Sequence, residues 1–336
     1  MKKFVIGADI SKNHIDFTLY SEGTAMMHRQ VDNNKKKLNE FLLELLDMIS
    51  IEWDHFEIIV AMEHTGIYGE LLLQVVTNLN IKASVIHSAL IKKVSNFDRI
   101  KNDKVDSKLI AEYAWRFWDK LNIYKPLAAV LKDIKTLMSE RSKLVKTRTI
   151  LTQGRSDQKI FLNKKTTQFL EHNINSTIKH LNKAIADIEE KVYELILQDE
   201  ELENNYNIAI SVPGIGKVTA AALLSYTNNF TKFSNAKQLG CYCGVVPFER
   251  SSGIFKGKGR TSKKANMDLK VLLTMGAWSV STTNNHFGQY YRRKLAESKK
   301  ESLAINNVRN KILKTVFACV KNQTKYRYDY VHNLAA

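Results

Sequence analysis

Four acidic residues stand where a carboxylate has to be accounted for. Asp9 closes the apolar run Phe4 to Ala8 in FVIGADISKNH, and Glu63 closes a second such run in EIIVAMEHTG. Runs of this kind read as strands buried on both faces, where an unneutralised carboxylate is costly. Either the strand ends there or a cation sits beside the acid. Neighbouring strands lie about 4.8 Å apart, so two such ends can converge. In KNDKVDSKLIAEYA, Asp103 and Asp106 are spaced i and i+3 near a helix start, which puts both on one face. Four acids at one sheet edge repel unless cations intervene, and an all-oxygen donor set suits Mg²⁺, with Mn²⁺ as its substitute. Singly, each has a plainer role: Asp9 as a turn residue, Asp103 and Asp106 as helix caps, Glu63 as the partner of a lysine.

A second group of residues is cationic. Between Phe248 and Lys270 the chain carries Arg250, Lys256, Lys258, Arg260, Lys263, Lys264 and Lys270 against only Glu249 and Asp268. That composition reads as a nucleic-acid-binding loop, with Ser251 and Ser252 as turn residues. In VPGIGK, residues 212–217, Gly214 and Gly216 let the backbone approach a phosphate, and the amides opening a helix at Lys217 offer donors to it. A short Pro-Gly turn between helices also occurs where no nucleic acid binds. Tyr290 to Arg293 and Lys325 to Tyr328 are aromatic-cationic clusters suited either to stacking on bases or to packing in the core.

The elements that must carry these residues follow from periodicity. Strands at 4–10, around Ile15 to Leu19 and at 25–31 form a meander, and Leu38, Phe41, Leu42, Leu45 and Ile49 recur at helical spacing behind Asn33 and Asn34. A strand at 57–62, a helix at about 67–80, a strand at 82–87 and a helix at about 104–119 complete a β-β-β-α-β-α-β-α order, which predicts a mixed α/β sheet covered by helices over residues 1–122. From Ile174 through Ile178, Leu181, Ile185, Ile188, Val192 and Leu195 the steps alternate four and three, the seam of a coiled coil. An earlier segment, Leu127, Leu131, Ile134 and Met138, places Arg141 and Arg148 where its seam would continue. These central coiled-coil helices, 123–203, fit a hairpin within the chain or a stalk between subunits, and a role in oligomerisation is the favoured expectation. Residues 204–336 read as a mainly α-helical domain containing a helix-hairpin-helix-like motif at VPGIGK and a loop over 245–266.

Charge is divided along the chain. Residues 1–120 hold 16 basic and 17 acidic side chains, and the remainder holds 35 against 17, so nearly all of the net +17 lies in the second part. A polyanion is the expected partner of that part. With 44 % hydrophobic and 25 % charged residues the chain is globular rather than disordered. It has no apolar run long enough to span a bilayer and no signal-peptide core, which predicts a cytoplasmic protein with no membrane partner. Cys241, Cys243 and Cys319 are too few and too irregular for a disulfide framework or a zinc site, and read as buried thiols.

The blocks GADISKNHIDFTLY, AMEHTGIYGE and KNDKVDSKLIAEYA resemble the three acidic blocks of the DEDD insertion-sequence transposases, whose N-terminal domain is similar to RuvC Holliday-junction resolvases of the RNase H-like fold. SVPGIGKVTAAALL, LGCYCGVVP and SSGIFKGKGRTSKKAN resemble the C-terminal transposase domain of that family, in the same order. The resemblance implies that Asp9, Glu63, Asp103 and Asp106 are catalytic metal ligands and that Ser252, directly before glycine, is the nucleophile, with Ser251 as runner-up. Ala61 stands where relatives carry glycine and Ser107 where they carry alanine, and neither change removes a ligand. The resemblance further implies a bacterial or archaeal, nucleoid-associated recombinase acting on double-stranded DNA at element ends and target, guided by a structured non-coding RNA. It implies a composite site that brings serine and acids together, and a homo-oligomer, dimer or tetramer. Two other readings fit the residues. One is a metal-dependent RuvC-like nuclease or junction resolvase without a covalent intermediate; the other is a non-catalytic nucleic-acid scaffold.

Overall fold

Strand β1 (Lys2–Ile10) is buried on both faces because its alternate residues serve two separate cores. Phe4, Ile6, Ala8 and Ile10 point to one side and Val5 to the other. The computed structural model describes residues 1–64, 66–91, 103–126, 128–153, 163–252, 255–262, 264–297 and 300–328; the side chains of 89, 103, 104, 249–258 and 260 lie outside that description. It divides into two compact units, Met1–Pro126 and Leu127–Ala336.

In the first unit β1 joins β2 (His14–Ser21), β3 (Thr24–Asp32), β4 (Phe56–Glu63) and β5 (Lys82–Ile86) in a five-stranded sheet of order β3-β2-β1-β4-β5. The meander β1-β2-β3 is antiparallel, and β1, β4 and β5 are parallel. Parallel neighbours require crossovers, and helices supply them. Helix α1 (Lys35–Glu52) starts where the Asn34 side chain accepts from the Lys36 amide at 2.9 Å, and buries Leu38, Phe41, Leu42, Leu45 and Ile49, the stripe that the spacing predicts. Helix α2 (Glu70–Asn78) covers the same face with Leu72, Leu73, Val75 and Val76, after a single 3₁₀ turn at Gly66–Gly69. Short α3 (Ser88–Ile91) and then α4 (Asp103–Arg116) cover the opposite face, where Ile110, Ala111 and Ala114 meet Val5, Ile59 and Ala61. Each fully buried Val, Leu, Ile or Phe side chain in these layers contributes about 1.5–3 kcal/mol.

Among the described residues the second unit is helical apart from one hairpin. Helices α5 (Ala129–Thr152) and α6 (Lys164–Leu197) pack against each other. Arg141 Nε donates to Glu189 at 2.6 Å and Arg148 Nη1 to Asn182 at 2.8 Å. Seven residues forward on α5 is seven back on α6, so the pair is antiparallel and lies within one chain. The arginines that interrupt the apolar seam of α5 are therefore its polar contacts with α6. Leu131, Ile134, Met138, Val192 and Ile196 join the core of the helices that follow. These are α7 (Glu200–Ile210), α8 (Lys217–Thr227), α9 (Ala236–Tyr242), α10 (Met267–Ser281), α11 (His286–Ala296) and α12 (Glu301–Lys321). Helix α8 buries Ala220, Ala221, Ala222, Leu223 and Leu224, and is apolar nearly all round because neighbours enclose it.

The segment 245–266, expected as a loop, contains two paired strands, β6 (Phe248–Ser252) and β7 (Phe255–Arg260). FKGKGR has low strand propensity, so its pairing came from the antiparallel partner rather than from local preference. Among the described residues no helix is long and apolar enough to cross a membrane.

Candidate active site

Register decides which acids share a face. In the parallel pair β1/β4, Gly7 lies beside Ala61 and Ala8 beside Met62, so Asp9 and Glu63 are the next neighbours, at the carboxyl ends of two adjacent strands. Both are half-buried. Alternation puts Asp9 on the side of Val5, and Glu63 on the side of Ile59 and Ala61, which is the face covered by α4.

The direction of α4 brings its first turn to the same place. Trp115 lies against Tyr20, ring centroids 6.2 Å apart, and Tyr20 pairs with Val5. Ser107 Oγ is 2.8 Å from Thr18 Oγ1, and Thr18 pairs with Gly7. Moving back along α4 thus moves along β1 toward Asp9, and Asp106 and the backbone of Asp103 come to the edge holding Asp9 and Glu63. The helix can approach this closely because Gly7 has no side chain: a Cβ there would overlap the Ser107 carbonyl oxygen and stand 2.6 Å from the Ala111 nitrogen. The serine at 107, where alanine is usual in the resembling family, is fully buried and earns its place through the Thr18 contact. Ala61 is likewise fully buried, in the apolar layer beneath α4.

The structure adds a carboxylate that sequence reasoning passed over. Asp16 is opposite Asp9 in the β1/β2 register, so the two share a face. Asp16 is only 4 % exposed, and accepts from Gln30 Nε2 at 3.0 Å with His28 Nε2 also at 3.0 Å and His14 Nε2 at 3.8 Å. Alternation in β2 sets Asp16 opposite the apolar Ile15, Phe17 and Leu19, so no sequence signal marked it as buried. His64, next to Glu63, is exposed, and its amide donates to the Ile86 carbonyl at 3.2 Å. Among the described residues no three His, Cys, Asp or Glu side chains stand close enough together to hold a metal ion; the Asp103 side chain is outside that set. The donors brought to this edge are nonetheless all carboxylates, the chemistry that Mg²⁺ or Mn²⁺ prefers.

In the second unit, VPGIGK forms a tight turn between α7 and α8, closed by Val212 N to Ala209 O at 3.1 Å and Ile215 N to Val212 O at 3.0 Å. Its two glycines differ. Gly214, at φ +90°, backs onto Gly276 of α10 and Ile312 of α12. Gly216 is exposed, has open space where a side chain would be, and caps α8 directly before exposed Lys217. Both glycines line a groove of about 1030 Å³ between the turn, α5 and α10, which also takes in Arg141, Lys146 and Arg148. Asp268 on its wall is 3.1 Å from Lys146.

Ser252 is the last paired residue of β6, opposite Phe255, and Ser251 is opposite Lys256. The side chains of Ser251, Ser252, Arg250, Lys256, Lys258 and Arg260, and Lys263 as a whole, lie outside the described residues; Lys264 is exposed. Cys243 is buried, which pushes its thiol up to about 12, and Cys241 and Cys319 are half-buried free thiols. The aromatic clusters split: Tyr291 is buried against Trp278 and bonds Glu301 at 3.1 Å, whereas Tyr328 is 54 % exposed.

A mixed sheet gathering acids at one edge, joined to a strongly cationic helical unit, fits an enzyme that recombines DNA. Residues 6–156 match a transposase family model of the DEDD IS110 type, and residues 206–292 match the model of the transposase IS116/IS110/IS902 family. The chain belongs to this IS110-type family of DEDD transposases, enzymes of DNA recombination that are typically metal-dependent. It is 24 % identical over 339 residues to the pilin gene-inverting protein of Moraxella bovis, covering 97 % of this chain and 98 % of the relative. The pilin gene-inverting protein of Moraxella lacunata matches to the same extent. The transposase for insertion sequence element IS1111A of Coxiella burnetii is 26 % identical over 202 residues, 53 % of this chain and 54 % of that protein.

Proposed function

We propose that the chain breaks and rejoins DNA at the ends of a mobile element, using carboxylate-held Mg²⁺ and a serine nucleophile within an RNase H-like, RuvC-like first unit and a C-terminal transposase unit. The observation that supports this reading is the register: Asp9 and Glu63 stand at the ends of adjacent parallel strands, on the face covered by α4, the helix that begins at Asp103. Four carboxylates there balance the charge of divalent ions that a lone carboxylate could not hold. Bound metal would supply positive charge to the phosphate oxygens as the phosphodiester is attacked.

The Ser252 hydroxyl attacks phosphorus, its proton passes to a nearby carboxylate, and the P–O bond to the departing strand breaks, leaving a DNA hydroxyl and a phosphoserine ester. Attack of a second strand's hydroxyl on that ester forms the new phosphodiester and restores the serine. Serine and acids must act on one phosphate, so the two units have to engage the same DNA. The exposed Gly216–Lys217 turn and its basic groove position duplex backbone without reading its sequence. Sequence choice is assigned to a structured guide RNA, for which the cationic excess of residues 121–336 leaves room.

The test uses a plasmid carrying the element's ends and its flanking transcribed segment, with Mg²⁺. Wild type gives recombined product and a protein-DNA adduct that survives SDS. Asp106→Asn loses both. Ser252→Ala loses the adduct; retained cleavage without an adduct would instead identify a resolvase-type nuclease, and adduct formation by Ser252→Ala moves the role to Ser251.

A further inference from the structure

The end of the second unit holds a cavity that the strand-exchange reading does not use. It measures about 700 Å³ and lies between α11, α12 and the segment after α12, with His286, Lys311, Lys325, Tyr326 and Arg327 among its lining. No Asp or Glu contributes to that lining among the described residues, and none of these three cations forms an ion pair among them. Arg293 and Lys311 both sit over the Tyr290 ring, 5.3 and 4.5 Å from its centroid. Burial, and secondarily the neighbouring Arg293, lowers the Lys311 ammonium below its ordinary range.

The aromatic wall is held in place. The Tyr326 amide donates to Ser211 Oγ at 2.8 Å, tying the final segment back to the end of α7, and its ring stacks on Phe287 with centroids 6.1 Å apart at 26°. Tyr328 lies against His286 at 5.1 Å and 31°, and Gln289 Nε2 donates to its hydroxyl at 3.3 Å. More than half of Tyr328 nonetheless faces solvent. Aromatic faces fixed beside unpaired cations match a ligand that offers both a flat base and a phosphate.

We propose that this cavity binds unpaired nucleotides, taking the phosphates against its lining residues Lys311, Lys325 and Arg327 and the adjoining base against the exposed Tyr328 ring, which is outside the lining but lies against the lining residue His286. A duplex keeps its bases stacked inside and is far too wide to enter, so it would use the cations and leave the aromatic faces idle. The proposal rests on the nucleic-acid reading above and adds a site for single-stranded segments, whether from opened DNA or from RNA.

Fluorescence anisotropy on the full chain tests it with labelled short oligo(dT), oligo(U) and a mixed-sequence duplex. The variants are Tyr328→Ala and Lys325→Glu/Arg327→Glu, all at exposed positions, with Lys36→Glu/Lys37→Glu on α1 as a charge-matched control. Tyr328→Ala is expected to lose about tenfold in single-strand affinity, the scale of one lost base stack, and to leave duplex affinity unchanged. The double variant loses more, and the control loses little. The larger loss, with oligo(dT) or with oligo(U), identifies DNA or RNA as the source. Single-strand binding by the cavity variants that equals the control overturns the proposal, as does an equal fall for duplex and single strand. Wild type that binds no probe overturns the underlying nucleic-acid reading as well, so the two failures are distinguishable.

Discussion

Gly7→Ala places one methyl group between the sheet and the helix that carries two of the acids. The new carbon would overlap the Ser107 carbonyl and stand 2.6 Å from the Ala111 nitrogen and 2.7 Å from its Cβ. Restoring ordinary contact at 3.4 Å moves α4 outward by about 0.8 Å at Ala111, and by more at Ser107. Neither neighbour can yield alone, since two of the three atoms are helix backbone. Overpacking of this kind costs about 1–3 kcal/mol. The same movement carries Asp106 away from Asp9 and Glu63, and a misplacement of about 1 Å lowers catalysis about 10²-fold. Urea unfolding followed by circular dichroism measures the first effect, and Mg²⁺-dependent strand cleavage measures the second at a temperature where both proteins are folded. A Gly7→Ala protein with wild-type cleavage would refute the claim that α4 positions the acids, whatever its stability.

Gly276→Ala adds a carbon that overlaps the Gly214 carbonyl oxygen, so the VPGIGK turn has to lift from α10, with a loss of about 1–3 kcal/mol in urea and weaker duplex binding. Gly216→Ala, at φ −86° with open space around it, should leave stability unchanged and lower duplex affinity alone; equal affinity for both proteins would exclude phosphate contact at that backbone. Burial raises Tyr206 and Tyr226 from 10.0 to about 12 and Cys243 from 9.0 to about 12. The folded chain keeps these protons where the unfolded chain sheds them, so stability is full below about pH 9 and falls as pH rises toward about 12. Urea midpoints that stay flat across that interval would show that these groups are solvated in the fold.

The strands and their acids were legible because each is a local pattern: an apolar run ended by a carboxylate, or an acid pair at a helix start. Register puts Asp9 beside Glu63 at the ends of adjacent strands on the face that α4 covers, while among the described residues no three acids stand close enough to share a metal ion. Asp16 was not legible in the same way, because its relation to Asp9 exists only once β2 has folded back on β1 in a particular register. Gly7 carried no signal either; within an apolar strand it resembles any small residue until a helix lies across it. The hairpin of β6 and β7 was hidden by glycines and lysines whose propensities oppose a strand, so the partner strand decided the outcome.

The coiled-coil seam shows why the long-range part of a fold resists local reading. Ile174 to Leu195 specify a stripe but not what covers it, and a hairpin or a second subunit satisfies the same spacing. The deciding residues were the ones that broke the pattern. Arg141 and Arg148 would each be a buried, uncompensated charge against a second apolar seam, yet both find polar partners, Glu189 and Asn182, when α6 folds back along α5. The arginines therefore fit the hairpin, each meeting on α6 a polar group that an apolar seam would not offer.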